Sequence, residues 1–396
     1  LAEIVSRLQT ARLLTLMGPG GMGKTRLAVE VGRERLVAFA DGVWFVPLAA
    51  ISTPAALAEA IATALEVTFQ SGDPRSALLQ SLRTKHLLLI LDNFEQLLSV
   101  DAEDPSGALD LVVELLEAAP RVQILVTSRQ RLNLRSEQIY AVPALSFAAN
   151  ATLAEATALA AVRLFVQSVQ RGQADFQLTE ANLTAVLRIC QVVQGMPLGL
   201  ELAAANAFGA PLTAIADALE QSTAFLAVEW RDLPERQRSM RAVFAWSWRL
   251  LSAAEQHILR QSAIFRGGFT YRAAQAVTGA TIALLKHLTD KSLLQWHATS
   301  TGEGSYAIHE LLRQFAAEEL AATGEEEAVA RRHSEYYLAL LAAQQQSLLY
   351  HSPRQAIHAL RAELDDIRQA WRWGAGHLSA PLVEQSALTL REFCLL

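Results

Sequence analysis

Short, continuous apolar runs alternate with helical patterns along residues 1–148. The apolar runs lie at residues 13–17, 43–48, 86–91, 122–127 and 139–142. Helical patterns lie between them, at residues 24–36, 53–65 and 109–119. The second of these helices has a start signal, because Thr53 can cap it and Pro54 suits the first helical position. Strands that are apolar throughout are typical of a parallel sheet covered on both faces. We therefore predict an α/β domain with a parallel five-stranded sheet and helices on both faces.

Beyond residue 148 the strand patterns nearly vanish. Helices are predicted at residues 153–169, 179–193, after Pro197, and at 239–250, 253–262 and 271–276. A β-hairpin is predicted over 296–308, and three helices beside such a hairpin are typical of a winged helix. Long helices at 325–346, 356–373 and 380–393 either open a helical repeat array or form a plain closing bundle. These patterns predict four domains, at residues 1–148, 149–230, 231–322 and 323–396.

The turn after the first predicted strand carries the strongest chemical signal. Residues 18–25, here called the phosphate loop, read Gly-Pro-Gly-Gly-Met-Gly-Lys-Thr and match G-x-x-x-x-G-K-[ST] between a strand and a helix. Glycines let backbone N–H groups point at phosphates, and the next helix presents its positive end. Lys24 can reach the β- and γ-phosphates, and the Thr25 hydroxyl can ligate Mg²⁺. The predicted nucleotide contacts are Gly18, Gly20, Gly21, Met22, Gly23, Lys24, Thr25 and Arg26.

Two further strand ends carry candidate catalytic residues. Asp92 follows the run Leu-Leu-Leu-Ile-Leu and is predicted to hold Mg²⁺ through water. Asn93 stands where many P-loop ATPases have a second acid. Glu95 either orients the attacking water or is only a helix-start residue, so weak turnover is one expectation. Arg129 follows Ile-Leu-Val-Thr-Ser and either reads the γ-phosphate charge or is a solvated strand-end arginine.

The spacing of these motifs resembles that of the STAND-type ATPases. This group includes NB-ARC proteins, such as plant disease-resistance and apoptotic-protease-activating proteins, and many large bacterial regulators. Residues 195–198, Gly-Met-Pro-Leu, resemble the family's Gly-x-Pro motif, whose proline contacts adenine, which implies that role for Pro197. Residues 306–310 resemble its Met-His-Asp segment, which implies a contact between His309 and the β-phosphate of ADP. Ile308 and Glu310 replace the Met and the Asp, so only His309 is carried over.

The resemblance, which covers roughly residues 1–320, implies a nucleotide-operated switch. ADP would hold a P-loop domain, a helical domain and a winged helix closed, and ATP with Mg²⁺ would favour an open, self-associating state. Hydrolysis would be slow at most. In bacterial relatives the output is often transcription control through a DNA-binding domain outside this fragment, although antiviral defence is another. The C-terminal helices would sense an unidentified ligand or protein inducer.

The amino-acid composition excludes two classes of protein, disordered chains and membrane-spanning proteins. Hydrophobic residues make up 52% of the chain and charged residues 19%, which excludes a disordered chain. The longest stretch without an acidic or basic residue, 336–353, contains three glutamines, a histidine and a proline, so no membrane span is predicted.

Two cysteines, Cys190 and Cys394, predict neither a disulfide framework nor a metal cluster, which favours the cytoplasm. The first residue is Leu1 and the last run is apolar, so we expect a piece of a longer protein.

Two competing functions remain open. The first is a DNA-binding module, because winged helices often read DNA and several arginines cluster near residue 240. Those arginines are Arg231, Arg236, Arg238, Arg241 and Arg249. Acidic residues lie among them, and the net charge of −6 argues against broad nucleic-acid binding. The second is a motor or metabolic ATPase with fast turnover.

Overall fold

The computed structural model describes residues 1–49, 51, 53–67, 73–98, 105–208, 210–221, 226, 239–298, 304–348, 353–378 and 380–395. The chain divides into two compact units. The first comprises Leu1–Leu250 with Asp290–Ser292, and the second comprises Leu251–Thr289 with Leu293–Leu396. The finer division into four domains stays a prediction. Residues 231–238, the greater part of the arginine cluster near residue 240, lie outside the described residues.

The predicted five-stranded sheet is confirmed in the first unit. Its strands are β1 (Leu13–Met17), β2 (Val43–Pro47), β3 (Leu88–Asp92), β4 (Gln123–Ser128) and β5 (Glu137–Ala141). All neighbouring strands are parallel, in the order β2-β3-β4-β1-β5. Strand β4 therefore lies between β1 and β3, and the carboxyl ends of all three strands meet at one edge. Because parallel strands end together, this edge collects the side chains that follow each apolar run.

Helices cover both faces of the sheet, as predicted. The first unit contains α1 (Ala2–Leu8), α2 (Lys24–Arg35), α3 (Pro54–Ala64), α4 (Pro74–Leu82), α5 (Pro105–Ala118), α6 (Leu153–Ala158), α7 (Ala160–Gln170), α8 (Glu180–Val192), α9 (Pro197–Ala205), α10 (Leu212–Gln221) and α11 (Met240–Arg249). Leu14 and Leu16 of β1 pack in one core with α1 and α2, whereas Leu13 packs in a second core with α3, α4 and α5. Alternate side chains of one strand thus enter different cores, which is why the strands are apolar throughout.

Two predicted helices are each broken into two. The helix predicted over 153–169 ends at Ala158, and Leu159 is extended, with ψ 128°. The break lets the first N–H groups of α7 donate to Ser146, from Ala160 to its hydroxyl and from Ala161 to its carbonyl. The helix predicted over 356–373 is likewise wrong as one piece, because Glu363 separates two helices.

The second unit is mostly helical. It contains α12 (Ala253–Gln261), α13 (Tyr271–Thr278), α14 (Ile282–Asp290, whose last residue belongs to the first unit), α15 (Glu310–Thr323), α16 (Glu326–Ala343), α17 (Pro353–Ala362), α18 (Leu364–His377) and α19 (Ala380–Leu395). Strands β6 (Phe269–Thr270), β7 (Gln295–His297) and β8 (Ser305–Ala307) form a small antiparallel sheet in the order β6-β8-β7. The predicted hairpin is confirmed by the pairing of Trp296 with Tyr306, whereas residues 299–303 between its strands in sequence lie outside the described residues.

The described helices include none that is both long enough and apolar enough to cross a bilayer. Cys190 is fully buried in α8, and burial raises the pKa of its thiol to about 12. It is a free cysteine, and a thiol with this pKa stays protonated at neutral pH.

Candidate functional site

The phosphate loop joins β1 to α2 at the carboxyl edge of the sheet. Gly21 and Gly23 have φ of 85° and 80°, in the left-handed region that side chains rarely adopt, and Gly23 caps α2. The first N–H groups of a helix have no partner within it. In the described part of the chain, no protein group accepts a hydrogen bond from the N–H groups of residues 21–25. This row of free donors at a helix start fits an anionic phosphate.

Lys24 places a cation inside this loop. Its side chain is 7% exposed, and its Nζ donates to the carbonyl oxygens of Gly18 (2.7 Å) and Pro19 (3.0 Å). Burial lowers the pKa of Lys24 to about 8, although the carboxylate of Glu95 opposes the change. Neutral carbonyls are the acceptors of this ammonium, so a phosphate would be a stronger partner.

The two predicted metal-binding residues lie in contact. Thr25 Oγ1 donates to Asp92 Oδ1 at 2.7 Å, and Thr127 Oγ1 from the end of β4 donates to the same oxygen at 2.6 Å. Asn93 Nδ2 donates to the other carboxylate oxygen at 3.2 Å. Burial raises the pKa of the Asp92 carboxyl, and the two threonine hydrogen bonds oppose that rise. Hydroxyl and carboxylate oxygens are the ligands that Mg²⁺ prefers, so this set of donors fits the ion.

Glu95 and Arg129 form an ion pair beside Asp92. The distance from Arg129 Nε to Glu95 Oε1 is 3.1 Å, and Glu95 is 2% exposed. Arg129 Nη1 also donates to the carbonyl oxygen of Val243 (3.2 Å) and to the hydroxyl of Ser247, both on α11. Within the described residues, Glu95 Oε2 is buried and has no hydrogen-bond partner. Arg129 therefore connects the carboxylate near the metal-binding residues to a helix outside the sheet.

The start of α9 lies against the phosphate loop. Leu198 N donates to the carbonyl oxygen of Gly21 at 3.1 Å, and Pro197 Cγ lies 4.0 Å from where a Cβ on Gly23 would be. Gly195, just before this helix, has φ 66°, and an added Cβ would lie 2.1 Å from the carbonyl oxygen of Leu145. The structure thus brings Pro197 to the phosphate loop. Met22 of this loop is buried, whereas Arg26, the next residue after the loop, is exposed.

His309 lies in the second unit. It is 8% exposed and caps α15, because its Nδ1 accepts a hydrogen bond from Leu311 N at 3.3 Å. A cap explains the position of this ring on structural grounds. The implied contact between His309 and a β-phosphate stays a prediction.

Four residues of this site are missing from the sequence-based prediction. Thr127 precedes the predicted Arg129 in the same strand end, so the parallel register of β3 and β4 could have placed it beside Asp92. Leu198 follows the predicted Pro197. No sequence motif marks Val243 or Ser247 as part of the site, because only the folded chain brings α11 to Arg129. Val243 also contacts the loop directly, since an added Cβ on Gly20 would lie 2.5 Å from Val243 Cγ1.

Comparisons with known proteins identify the kind of domain that carries this site. A family model described as an AAA domain matches residues 6–134. Rv0890c of Mycobacterium tuberculosis, which is named an HTH-type transcriptional regulator, is 34% identical over 387 residues, covering 95% of this chain and 41% of Rv0890c. The uncharacterized protein Rv0894 of the same organism is 30% identical over 335 residues, covering 82% of this chain and 80% of Rv0894.

A solved structure supports the fold alone. The Walker-type ATPase of Pyrococcus abyssi aligns with 80% of this chain and 93% of its own, with a TM-score of 0.50 and 13% identity. The chain spans about two fifths of the regulators that it matches. It belongs to the same family as Rv0894, and it contains an AAA-type P-loop ATPase domain homologous to HTH-type transcriptional regulators such as Rv0890c.

Proposed function

We propose that this chain is the nucleotide-operated switch of a transcriptional regulator. ADP holds a resting state, and ATP with Mg²⁺ favours an open state that associates with further copies. A nucleotide can shift such an equilibrium only as far as it binds the two states unequally. The proposal therefore requires residues that touch the phosphates and also touch elements able to move.

One observation carries the proposal: helices outside the sheet contact the phosphate loop and its neighbours. The start of α9 is hydrogen-bonded to Gly21, and α11 holds the guanidinium of Arg129. A γ-phosphate is a dianionic acceptor that competes for Arg129 with a carbonyl and a hydroxyl. In this proposal, binding of ATP weakens the hold of Arg129 on α11, whereas ADP, which lacks that group, leaves it in place.

The same residues account for slow hydrolysis. Lys24 and the N–H groups at the start of α2 hold the phosphates, while Thr25 and Asp92 hold Mg²⁺, which neutralises phosphate charge when bound. Glu95 is the nearest carboxylate that could orient water, and its Oε1 is occupied by Arg129 at 3.1 Å. A general base held in an ion pair is a weaker proton acceptor, which favours a switch over a motor.

Other parts of the proposal concern the second unit. We propose that α12, α13 and α14, with the sheet of β6, β7 and β8, form a winged helix. The helices α16 to α19 would open a repeat-like scaffold that binds an inducer. The name of Rv0890c refers to a helix-turn-helix. In our proposal DNA is contacted by such a domain elsewhere in the regulator, and the switch acts in the cytoplasm.

The test is to identify the nucleotide that copurifies with the chain. We expect ADP after denaturation and chromatography, together with slow phosphate release and a larger hydrodynamic size with ATP than with ADP. The Lys24→Ala variant should purify without bound nucleotide. The Arg33→Ala variant, which removes an exposed arginine on the same helix, should retain ADP as the unaltered chain does. Absence of nucleotide, with no binding on titration, would refute the proposal. Fast steady-state phosphate release would instead support a turnover ATPase, and a salt-dependent gel shift would support a DNA-binding module.

A further inference from the structure

Three arginines from two separate segments surround a cavity in the second unit. Arg266 lies in the loop before β6, and Arg368 and Arg372 lie on α18. The cavity has a volume of about 450 Å³, and Asp365 and Gln369 complete its lining. The spacing of the four α18 residues, 365, 368, 369 and 372, places them on one face of the helix. We call this cavity the arginine cleft.

The position of Arg266 is fixed by hydrogen bonds to a buried aspartate. Asp366, 1% exposed, accepts hydrogen bonds from the backbone N–H groups of Arg266 (2.9 Å) and Gly267 (3.2 Å). His333 Nε2 lies 3.0 Å from the same carboxylate. The Arg266 side chain is directed by Nε, which donates to Gln369 Oε1 at 2.7 Å. Among the described residues, no protein group accepts a hydrogen bond from its two Nη atoms, so both remain available as donors.

Positive charge dominates the arginine cleft. Its one carboxylate, Asp365, lies 3.5 Å from Arg368, and both side chains are more than half exposed, so the pair is weak. Burial and the nearby Arg313 lower the pKa of Arg266, and the carboxylates of Glu310 and Asp366 oppose that change. Arg313 itself is paired with Glu310 at 2.6 Å. Three guanidiniums therefore line a cleft whose lining contains one carboxylate, Asp365, while Glu310 and Asp366 act on Arg266 from outside that lining.

A second cavity, with a volume of about 540 Å³, adjoins the cleft because Arg266 and Gln369 line both. Trp373, Leu320 and Ile264 give it an apolar wall. Glu326 and Glu327 also line it, so a second anionic group would be repelled there. The two cavities together suit a molecule with one anionic end and an apolar or aromatic body.

We propose that the arginine cleft binds a small organic anion, with a phosphate or carboxylate group at Arg266, Arg368 and Arg372 and an apolar body against Trp373. The fork of Arg266 and the two α18 arginines supply the charge-assisted hydrogen bonds. The aromatic ring supplies the apolar contact. This site is separate from the phosphate loop, and the proposal does not depend on the proposed nucleotide switch.

The experiment uses phenyl phosphate as the probe, with the phosphate loop saturated by ADP. Calorimetry should give saturable binding of phenyl phosphate, weaker binding of inorganic phosphate, and none of phenol. The exposed double variant R368Q/R372Q should weaken phenyl phosphate about tenfold. R361Q, which removes an exposed arginine of α17, should leave binding unchanged. Benzoate in place of phenyl phosphate shows whether the anionic group is carboxylate or phosphate.

Two further variants test whether binding needs the guanidinium of Arg266 and whether it is independent of the phosphate loop. R266K retains the charge but loses the fork, so it should bind more weakly than the unaltered chain and more tightly than R266Q. Lys24→Ala should lose ADP and keep phenyl phosphate, which separates failure of the switch from failure of this site. Absence of saturable phenyl phosphate binding, binding lost in Lys24→Ala, or binding unchanged in R368Q/R372Q would each overturn the proposal.

Discussion

Two buried aspartates, one in each unit, have opposite surroundings. Asp92, 4% exposed, accepts hydrogen bonds from two threonine hydroxyls and one side-chain amide. Asp366, 1% exposed, accepts from two backbone N–H groups and lies 3.0 Å from His333. The donors to the first carboxylate are all side chains, whereas two of the donors to the second are backbone N–H groups.

This difference separates a ligand site from a structural clamp. A buried carboxylate without a cationic partner is costly, and a bound cation removes that cost. Burial raises the pKa of Asp92, although the two threonine hydrogen bonds and the charge of Lys24 oppose that rise. Asp366 instead joins the loop at residues 266–267 to α16 and α18. Burial alone therefore does not identify a site; the two carboxylates differ in whether their donors are side chains or backbone N–H groups.

The largest effect is expected from removing the carboxylate of Asp366. Asp366→Ala leaves His333 and the N–H groups of Arg266 and Gly267 without their acceptor. We expect it to destabilise the second unit by about 3 to 5 kcal/mol, because two backbone N–H groups and one buried ring lose their partner. Hydrogen exchange measured by mass spectrometry should show faster exchange in residues 264–270 and in α16.

Asp92→Asn is the matched substitution in the other unit. It keeps the shape and removes the buried charge, so unfolding free energy should change by less than about 1 kcal/mol. Affinity for ATP with Mg²⁺ should nevertheless fall about tenfold or more. Equal destabilisation by the two substitutions would contradict the distinction between site and clamp.

An intermediate effect concerns pH and Lys24. Burial favours its neutral amine, so the free protein loses this proton as pH rises through about 8, well below the ordinary value of 10.5. Bound phosphate favours the ammonium, so ADP binding above pH 8 must take up a proton. We expect ADP affinity to fall by up to about tenfold per pH unit above this point.

Calorimetry in two buffers of different ionisation enthalpy measures that proton uptake. Lys24→Arg stays charged throughout this range and should bind ADP with little dependence on pH. A pH dependence that persists in Lys24→Arg would assign the titration to another group.

The smallest effect is expected from removing one hydrogen bond between α11 and Arg129. Ser247→Ala removes one of the groups on this helix that accept from Arg129. The preference for ATP over ADP should rise about threefold, because the γ-phosphate then competes with fewer partners for the guanidinium. Parallel titrations with ATP and ADP measure this ratio. Ser252→Ala, which removes only a helix cap of α12, is the control, and an equal rise in both variants would show an effect unrelated to Arg129.

The sheet and the phosphate loop were accessible from the sequence because their signals are local. Five apolar runs predict five strands, and Thr53 caps α3 as expected, accepting a hydrogen bond from Ala56 N at 3.2 Å. A local signal was also missed, since Asp73 followed by Pro74 is a helix start and α4 begins there. The bond between Ser247 and Arg129 joins residues that are distant in sequence, so neither periodicity nor a motif could predict it. The same holds for Asp366, whose acidic neighbours on α18 suggest an exposed helix start.

The close contact at Gly20 has an evolutionary consequence. The phosphate-loop motif allows any residue at this position, because only the flanking Gly, Lys and Thr are specified. Here a single added methyl group would lie 2.5 Å from Val243 Cγ1 and 3.0 Å from Arg129 Nη2. The choice of residue at position 20 is therefore limited by α11 rather than by the phosphate. Among relatives with the same packing, positions 20 and 243 should change together, and a larger residue at one should accompany a smaller residue at the other.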